Sequence, residues 1–146
     1  MVTEPACREI AYGSSEYRQA LDLREEVLRR PLGMAWRPED LAAEATSRHF
    51  ACFDGEKLAA TLVLVPADAK TVRMRQVAVA PECQRRGFGG ALIRFAEEAA
   101  RQAGFEVITA HARDAAVPFY RRLGYAVQSE GFTEIGILHF TIDKRL

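Results

Sequence analysis

Cysteine is scarce. The chain has three, Cys7, Cys52 and Cys83, far apart in sequence and without a C-x-x-C pair. That spacing argues against a metal site or a disulfide framework, and free thiols suit a reducing compartment. An excess of one charge is also missing. Lys plus Arg and Asp plus Glu number 20 each, so the formal net charge is zero. No whole-surface attraction to nucleic acid or to an anionic membrane is expected. Long apolar runs are absent too. The longest, residues 58–65, is too short to span a bilayer. The first residues carry Glu4, Arg8 and Glu9 rather than the apolar core of a signal peptide. Neither repeats nor Gly/Ser linkers occur. A chain of 146 residues, 49% apolar and 27% charged, is expected to fold as one domain, 1–146, in the cytoplasm.

What is present is periodicity. Residues 7–12 read as a weak first strand. Ser14 and Ser15 offer N-caps for a helix over about 16–29, with Tyr17, Ala20, Leu21, Val27 and Leu28 as its apolar stripe. Arg24 falls inside that stripe, where a core residue is expected. It reads either as a structural ion pair or as a charge aimed into a cleft. Pro31, Gly33 and Pro38 mark a loop that carries Trp36, followed by a short helix over about 38–45. Strands at 49–53 and 57–65 form a hairpin around Asp54-Gly55. The second of these is apolar on both faces, so it belongs in the middle of a sheet covered on both sides.

The next strand, 71–80, contains an irregularity. Val72 and Met74 alternate with Arg73 and Arg75, then the phase slips: Gln76 takes the polar slot and Val77 and Val79 are apolar. Such a slip is what a β-bulge looks like in sequence. A glycine-rich turn and a helix to about 103 follow. Leu92, Ile93, Ala96, Ala99, Ala100 and Ala103 make its buried face, and Arg94, Glu97, Glu98 and Arg101 its solvated one, with Glu97 spaced to pair with Arg101. Gly104 is placed as its C-cap. A strand at 106–112, a short helix at 115–123 closed by Gly124, and strands at 125–128 and 135–143 complete a mixed α/β fold with a central crossover.

The strongest chemical signal is the turn Gln84-Arg85-Arg86-Gly87-Phe88-Gly89-Gly90, between a strand and a helix. Glycines let the backbone approach a ligand, and the free N–H groups of the helix start favour an anion such as phosphate. The third glycine of a dinucleotide fingerprint is missing, because Leu92 stands there. No Lys-Ser or Lys-Thr follows, so a Walker loop is excluded as well. Cys83, just ahead of this turn, reads as inert.

This turn, the preceding Val77-Ala78-Val79-Ala80-Pro81-Glu82, and the later Phe119-Tyr120-Arg121-Arg122-Leu123-Gly124-Tyr125 together resemble the GNAT family of N-acetyltransferases. The tail Glu134-Ile135-Gly136-Ile137-Leu138-His139 is similar to a small bacterial subgroup with an E-x-G-I-x-H ending. The resemblance runs from the first helix onward. It implies a single-domain fold with a central, twisted, mostly antiparallel sheet, one bulged strand, splayed strands and flanking helices. It implies acetyl-CoA as co-substrate and no metal. Backbone groups of Val77, Ala78 and Val79 are then expected to meet the pantetheine arm. Gln84, Arg85, Arg86, Gly87, Phe88, Gly89 and Gly90 are expected to hold the pyrophosphate. Tyr120, at the family's tyrosine position, is expected to protonate the leaving thiolate, since a tyrosine near 10 has a pKa at or above that of a thiol.

The acceptor side is less defined. Seven residues before Tyr120, where the family often has Asn, stands Arg113. Candidate acceptor-site residues are Arg24, Gln76, His111, Arg113, Glu134 and His139, with the two histidines or Glu134 as base. Arg24, Arg75 and Arg113 point weakly to an acceptor bearing a carboxylate or phosphate. The expected partner is a small-molecule or peptide amine; nucleic acid and membrane are not expected, and a homodimer is allowed. Two rivals stay open: a non-catalytic acyl-CoA-binding module, and a nucleotide binder using the same turn.

Overall fold

Ser14 opens the first helix, its hydroxyl accepting the Tyr17 N–H at 3.1 Å. In the computed structural model, which describes residues 5–33 and 38–146, that helix is α1 (Ser15–Arg24). Glu25–Arg29 then widens into a π-helical turn and Arg30–Leu32 tightens into a 3₁₀ turn, ended by Gly33 at φ 67°. Thus the helix expected to reach residue 29 loses its regular α geometry five residues early. Its buried residues are Tyr17, Ala20, Leu23 and Arg24. Leu21 is only half-buried, and Val27 and Leu28 lie on the π turn, which buries nothing. Trp36 and Glu4 lie outside the described residues.

The remaining elements are α2 (Pro38–Ala42), α3 (Phe88–Gln102) and α4 (Val117–Arg122), and eight strands. These are β1 (Ala6–Ile10), β2 (Arg48–Asp54), β3 (Lys57–Pro66), β4 (Thr71–Val79), β5 (Val107–Arg113), β6 (Ala126–Val127), β7 (Phe132–Glu134) and β8 (Ile137–Arg145). In hydrogen-bonded order they run β1-β2-β3-β4-β5-β8-β6, with β7 on β8. The fold is mixed α/β, as the sequence pattern predicts, and the sheet is mostly antiparallel, as the family resemblance implies.

Two compact units divide the chain: Met1–Val65 with Gln76–Ala96, and Pro66–Arg75 with Glu97–Leu146. In the first, β1, β2 and β3 pair antiparallel. Every residue of β3 from Leu58 to Leu64 is buried, as its two apolar faces predict. Cys7 and Cys52 are directly opposed across β1 and β2, and their free thiols lie 2.8 Å apart. They are 45 residues apart in sequence, and strand pairing alone brings them together.

In the second unit, β5 pairs antiparallel with β8 along its whole length, and with β4 in parallel only over Thr71–Arg73. Ile108, Ala110, Ala112 and Ile142 fill its core. The final strand expected over 135–143 is present as β8 but starts at Ile137, and β7, which was not expected, precedes it: the two join at a two-residue turn, Ile135-Gly136, with φ 52° and 71°. Positive φ at both central residues is the type I′ pattern that suits strand twist. A β-branched residue rarely adopts it, so Ile135 read as strand.

Helix α3 corrects another expectation. Leu92, Ile93, Ala96 and Ala100 are buried, but Ala103 is exposed. Glu97, expected in solvent, is 4% exposed, accepting the Tyr125 hydroxyl at 2.8 Å and the Lys144 ammonium at 3.0 Å. Arg101 pairs with Glu98 instead. The helix ends at Gly104, φ 94°, whose N–H and that of Phe105 close back on Arg101 and Ala100.

Candidate active site

In the first unit the strand irregularity falls where the phase slips. Gln76 has φ 56°, a left-handed conformation inside β4. Beyond it Ala78 is buried while Val77 and Val79 are half-buried. Pro81–Cys83 forms one 3₁₀ turn, and Cys83 is buried. Gln84 Nε2 then donates to the Val79 carbonyl at 3.3 Å, tying the turn back to β4. Arg85 and Gly87 have φ 63° and 87°. These reversals allow the chain to enter α3 within a few residues, and at Gly87 no side chain opposes them. Gln84, Arg85, Arg86 and Gly87 are exposed, whereas Phe88, Gly89 and Gly90 are buried. Arg86 reaches Asp54 at 3.2 Å and lies over the Phe88 ring. Arg85 is thus the more open of the two cations beside the helix start. A fifteen-residue helix leaves its first N–H groups without intrahelical acceptors there.

Arg24 belongs to another cluster of this unit. It is 1% exposed and bonds Glu44 in a two-pronged pair, with Tyr17 Oη donating to the same carboxylate at 3.0 Å. His49 Nε2 contacts the Glu44 carbonyl at 3.0 Å. Its geometry matches the ion-pair alternative for Arg24.

In the second unit Tyr120 is 7% exposed, edge-on to both Phe119 and Tyr125. Burial pushes its hydroxyl up to about 12. A tyrosine so placed keeps its proton throughout the neutral range.

Three acceptor-site candidates meet in this unit. Glu134, the last residue of β7, has Oε1 3.4 Å from His111 Nδ1 and Oε2 3.6 Å from His139 Nε2. Phe132 stacks on His139 and meets His111 edge-on. Arg73, on β4, lies 2.7 Å from His111 Nδ1 through Nη2. Arg113 is the register partner of His139 across β5 and β8. Sequence reasoning named His111, Glu134 and His139 separately; the missed hairpin is what joins them. Arg73 and Phe132 carry no sequence signal of their own beyond Arg73 sharing the face of Arg75 in the alternating segment. Among the described residues no cluster could hold a metal ion, and no helix is long and apolar enough to cross a membrane.

The model of the family described as "Acetyltransferase (GNAT) family" matches residues 15–125, from the first helix through the strand irregularity, the glycine turn and Tyr120. The chain belongs to this family. As a GNAT protein it is 30% identical over 143 residues to the uncharacterized N-acetyltransferase YjcF of Bacillus subtilis, covering 92% of this chain and 96% of that one. A putative N-acetyltransferase from Lactobacillus plantarum shares the fold with a TM-score of 0.85 at 25% identity, over 97% and 99% of the two chains. A GNAT family acetyltransferase from Elizabethkingia anophelis, solved with acetyl-CoA bound, has a TM-score of 0.75 at 17% identity, over 97% and 98%.

Proposed function

We propose that the chain, working as one N-acetyltransferase domain over 1–146, moves an acetyl group from acetyl-CoA to a primary amine by direct attack. The observation that carries this reading is the turn from β4 into α3. Arg85 and Gly87 bend the backbone so that an exposed cation and the free N–H groups of a long helix share one place. That is a seat for a diphosphate. Residues 84–90 hold the pyrophosphate, and backbone groups of Val77 and Val79 pair with the pantetheine amides as an added strand does.

The acceptor must arrive as a free amine, so a base first removes one proton from the ammonium. The amine nitrogen then bonds to the thioester carbonyl carbon. The oxygen gains charge, and a backbone N–H near Val79 donates to it. When the C–S bond breaks, Tyr120 protonates the sulfur, and the nitrogen's second proton restores the tyrosine. Burial raises the hydroxyl to about 12, so its proton is in place at neutral pH, and the same rise makes it a weaker acid than an exposed tyrosine. The retention of Tyr120 supports turnover over cofactor binding alone. The E-x-G-I-x-H tail supports the reading of a small bacterial subgroup, and the free thiols support a reducing compartment such as the cytoplasm.

Calorimetric titration with acetyl-CoA tests the reading. Micromolar binding that is weakened in Gly89→Asp supports it. Absence of binding up to millimolar concentration overturns it.

A further inference from the structure

The group around Glu134 is divided by hydrogen-bonding character. An arginine can only donate, so Arg73 Nη2, 2.7 Å from His111 Nδ1, makes that nitrogen an acceptor. The Ile137 carbonyl can only accept, so His139 Nδ1, 2.7 Å away, donates. In the neutral ring this leaves the lone pair of His139 Nε2 facing Glu134 Oε2 at 3.6 Å. Two acceptors facing each other leave room for a donor to both. His139 is 6% exposed and fixed, whereas the Glu134 side chain is 41% exposed and reachable. An alkylammonium brings three N–H donors, and the stacked Phe132 ring adds an apolar wall.

On the other side of His111 the character reverses. Arg73 Nε is buried without a hydrogen-bond partner. Arg75 lies two residues along the same strand, on the same face, and is exposed. Desolvation and the charge of Arg75 both lower the Arg73 pKa, and Glu134 offsets them only in part. Two like charges with one orphaned buried donor make a place for an anion. Arg113, opposite His139 in register, adds a third cation on β5.

We propose that these residues form the acceptor subsite and that the acceptor is amino-acid-like: its ammonium sits on Glu134 and His139, and its carboxylate on Arg73 and Arg75. The two halves are linked through His111, so the acceptor is short. This inference rests on the acetyl-transfer reading for its purpose but not for its chemistry.

The test is side-chain NMR of the three histidines during titration with β-alanine, propylammonium and propionate. β-Alanine carries both charges, and the other two carry one each on a chain of similar length. It should shift the His111 and His139 signals and leave His49, held against Glu44 in the other unit, unmoved. It should bind roughly tenfold more tightly than either single-charge probe, the worth of one charge-assisted pair. Glu134→Gln should remove the advantage over propionate, and Arg75→Gln the advantage over propylammonium. Equal binding of all three probes, unmoved His111 and His139 signals, or unchanged affinity in both variants overturns the proposal. Acetyl-CoA titration of the same sample is read separately. If β-alanine binds and acetyl-CoA does not, the charged subsite stands and the acetyl-transfer reading falls.

Discussion

Arg24 and Glu44 meet fork to fork: Nη1 lies 2.9 Å from Oε1 and Nη2 2.5 Å from Oε2. The pair fastens α1 to the 3₁₀ turn Ala43–Thr46, and Tyr17 braces it. Burial pushes the Glu44 carboxyl up, but the hydrogen bonds and charge of Arg24, with the Tyr17 hydroxyl, outweigh burial and hold it below the ordinary range. A depressed folded pKa adds stability above the unfolded value, about 4.3, and that stability is lost as pH falls through the folded value. Arg24→Met should cost about 3 kcal/mol, because it leaves a half-buried carboxylate without its cation. Denaturant unfolding at pH 7 measures the loss. In Glu44→Gln, stability should fall less steeply between neutral and acid pH than in the unaltered protein.

Glu97 gives a second stability prediction. Lys144 Nζ donates both to it and to the Leu123 carbonyl, at 3.0 and 2.8 Å, and Tyr125 donates from the other side. Glu97→Ala should cost about 2–3 kcal/mol, since it orphans the Tyr125 hydroxyl and leaves the Lys144 ammonium without its counter-charge. Glu98→Ala, one residue away on the exposed face, should change stability by less than about 0.5 kcal/mol. Equal effects of the two substitutions in thermal unfolding would contradict the buried network.

Ile135 predicts a gain. It is 54% exposed and sits at φ 52°, where a β-branched residue is strained. Ile135→Asn should raise stability by about 1 kcal/mol, the cost of a left-handed L-residue that asparagine largely escapes. A lower melting temperature in that variant would show that the turn relies on the isoleucine for packing.

Tyr120 predicts both rate and alkaline behaviour. Under the proposed chemistry, Tyr120→Phe should slow acetyl transfer roughly a hundredfold while acetyl-CoA affinity stays unchanged. Single-turnover release of CoA at the wild-type rate would remove the tyrosine from the acid role. Its pKa of about 12 lies above the unfolded value near 10. The neutral hydroxyl therefore supports the fold fully below pH 10, and that support is lost as pH rises toward 12. Tyr120→Phe should flatten part of that alkaline loss, a change visible in unfolding curves at pH 9 and pH 11.

Local periodicity made most of the elements legible. The strand slip at Gln76, the Ser14 cap and the Gly104 stop each express a backbone requirement that one or two residues satisfy, so they can be read in isolation. The local signal misleads where tertiary contact overrides it. Glu97 stands four residues after Ile93 and three before Ala100, squarely on the buried stripe; its charge alone points to solvent, and only Lys144 and Tyr125, distant in sequence, make its burial possible. The Cys7–Cys52 contact and the Arg24–Glu44 pair depend on strand and helix packing across 45 and 20 residues. The 84–90 turn was legible because its chemistry is local. The grouping of His111 with Glu134 and His139 was not, because Ile135 disguised the turn that creates it.

That turn fixes more than strand direction. With only Ile135 and Gly136 between Glu134 and Ile137, the hairpin has no slack to absorb an inserted or deleted residue. A shift of one position would turn Glu134 or His139 to the opposite side of its strand. The length of the tail is therefore constrained more tightly than any one exposed side chain within it, because a change of length dismantles the charged cluster. The separation of Glu134 from His139, acid from imidazole, is thus set by the turn as much as by the strands.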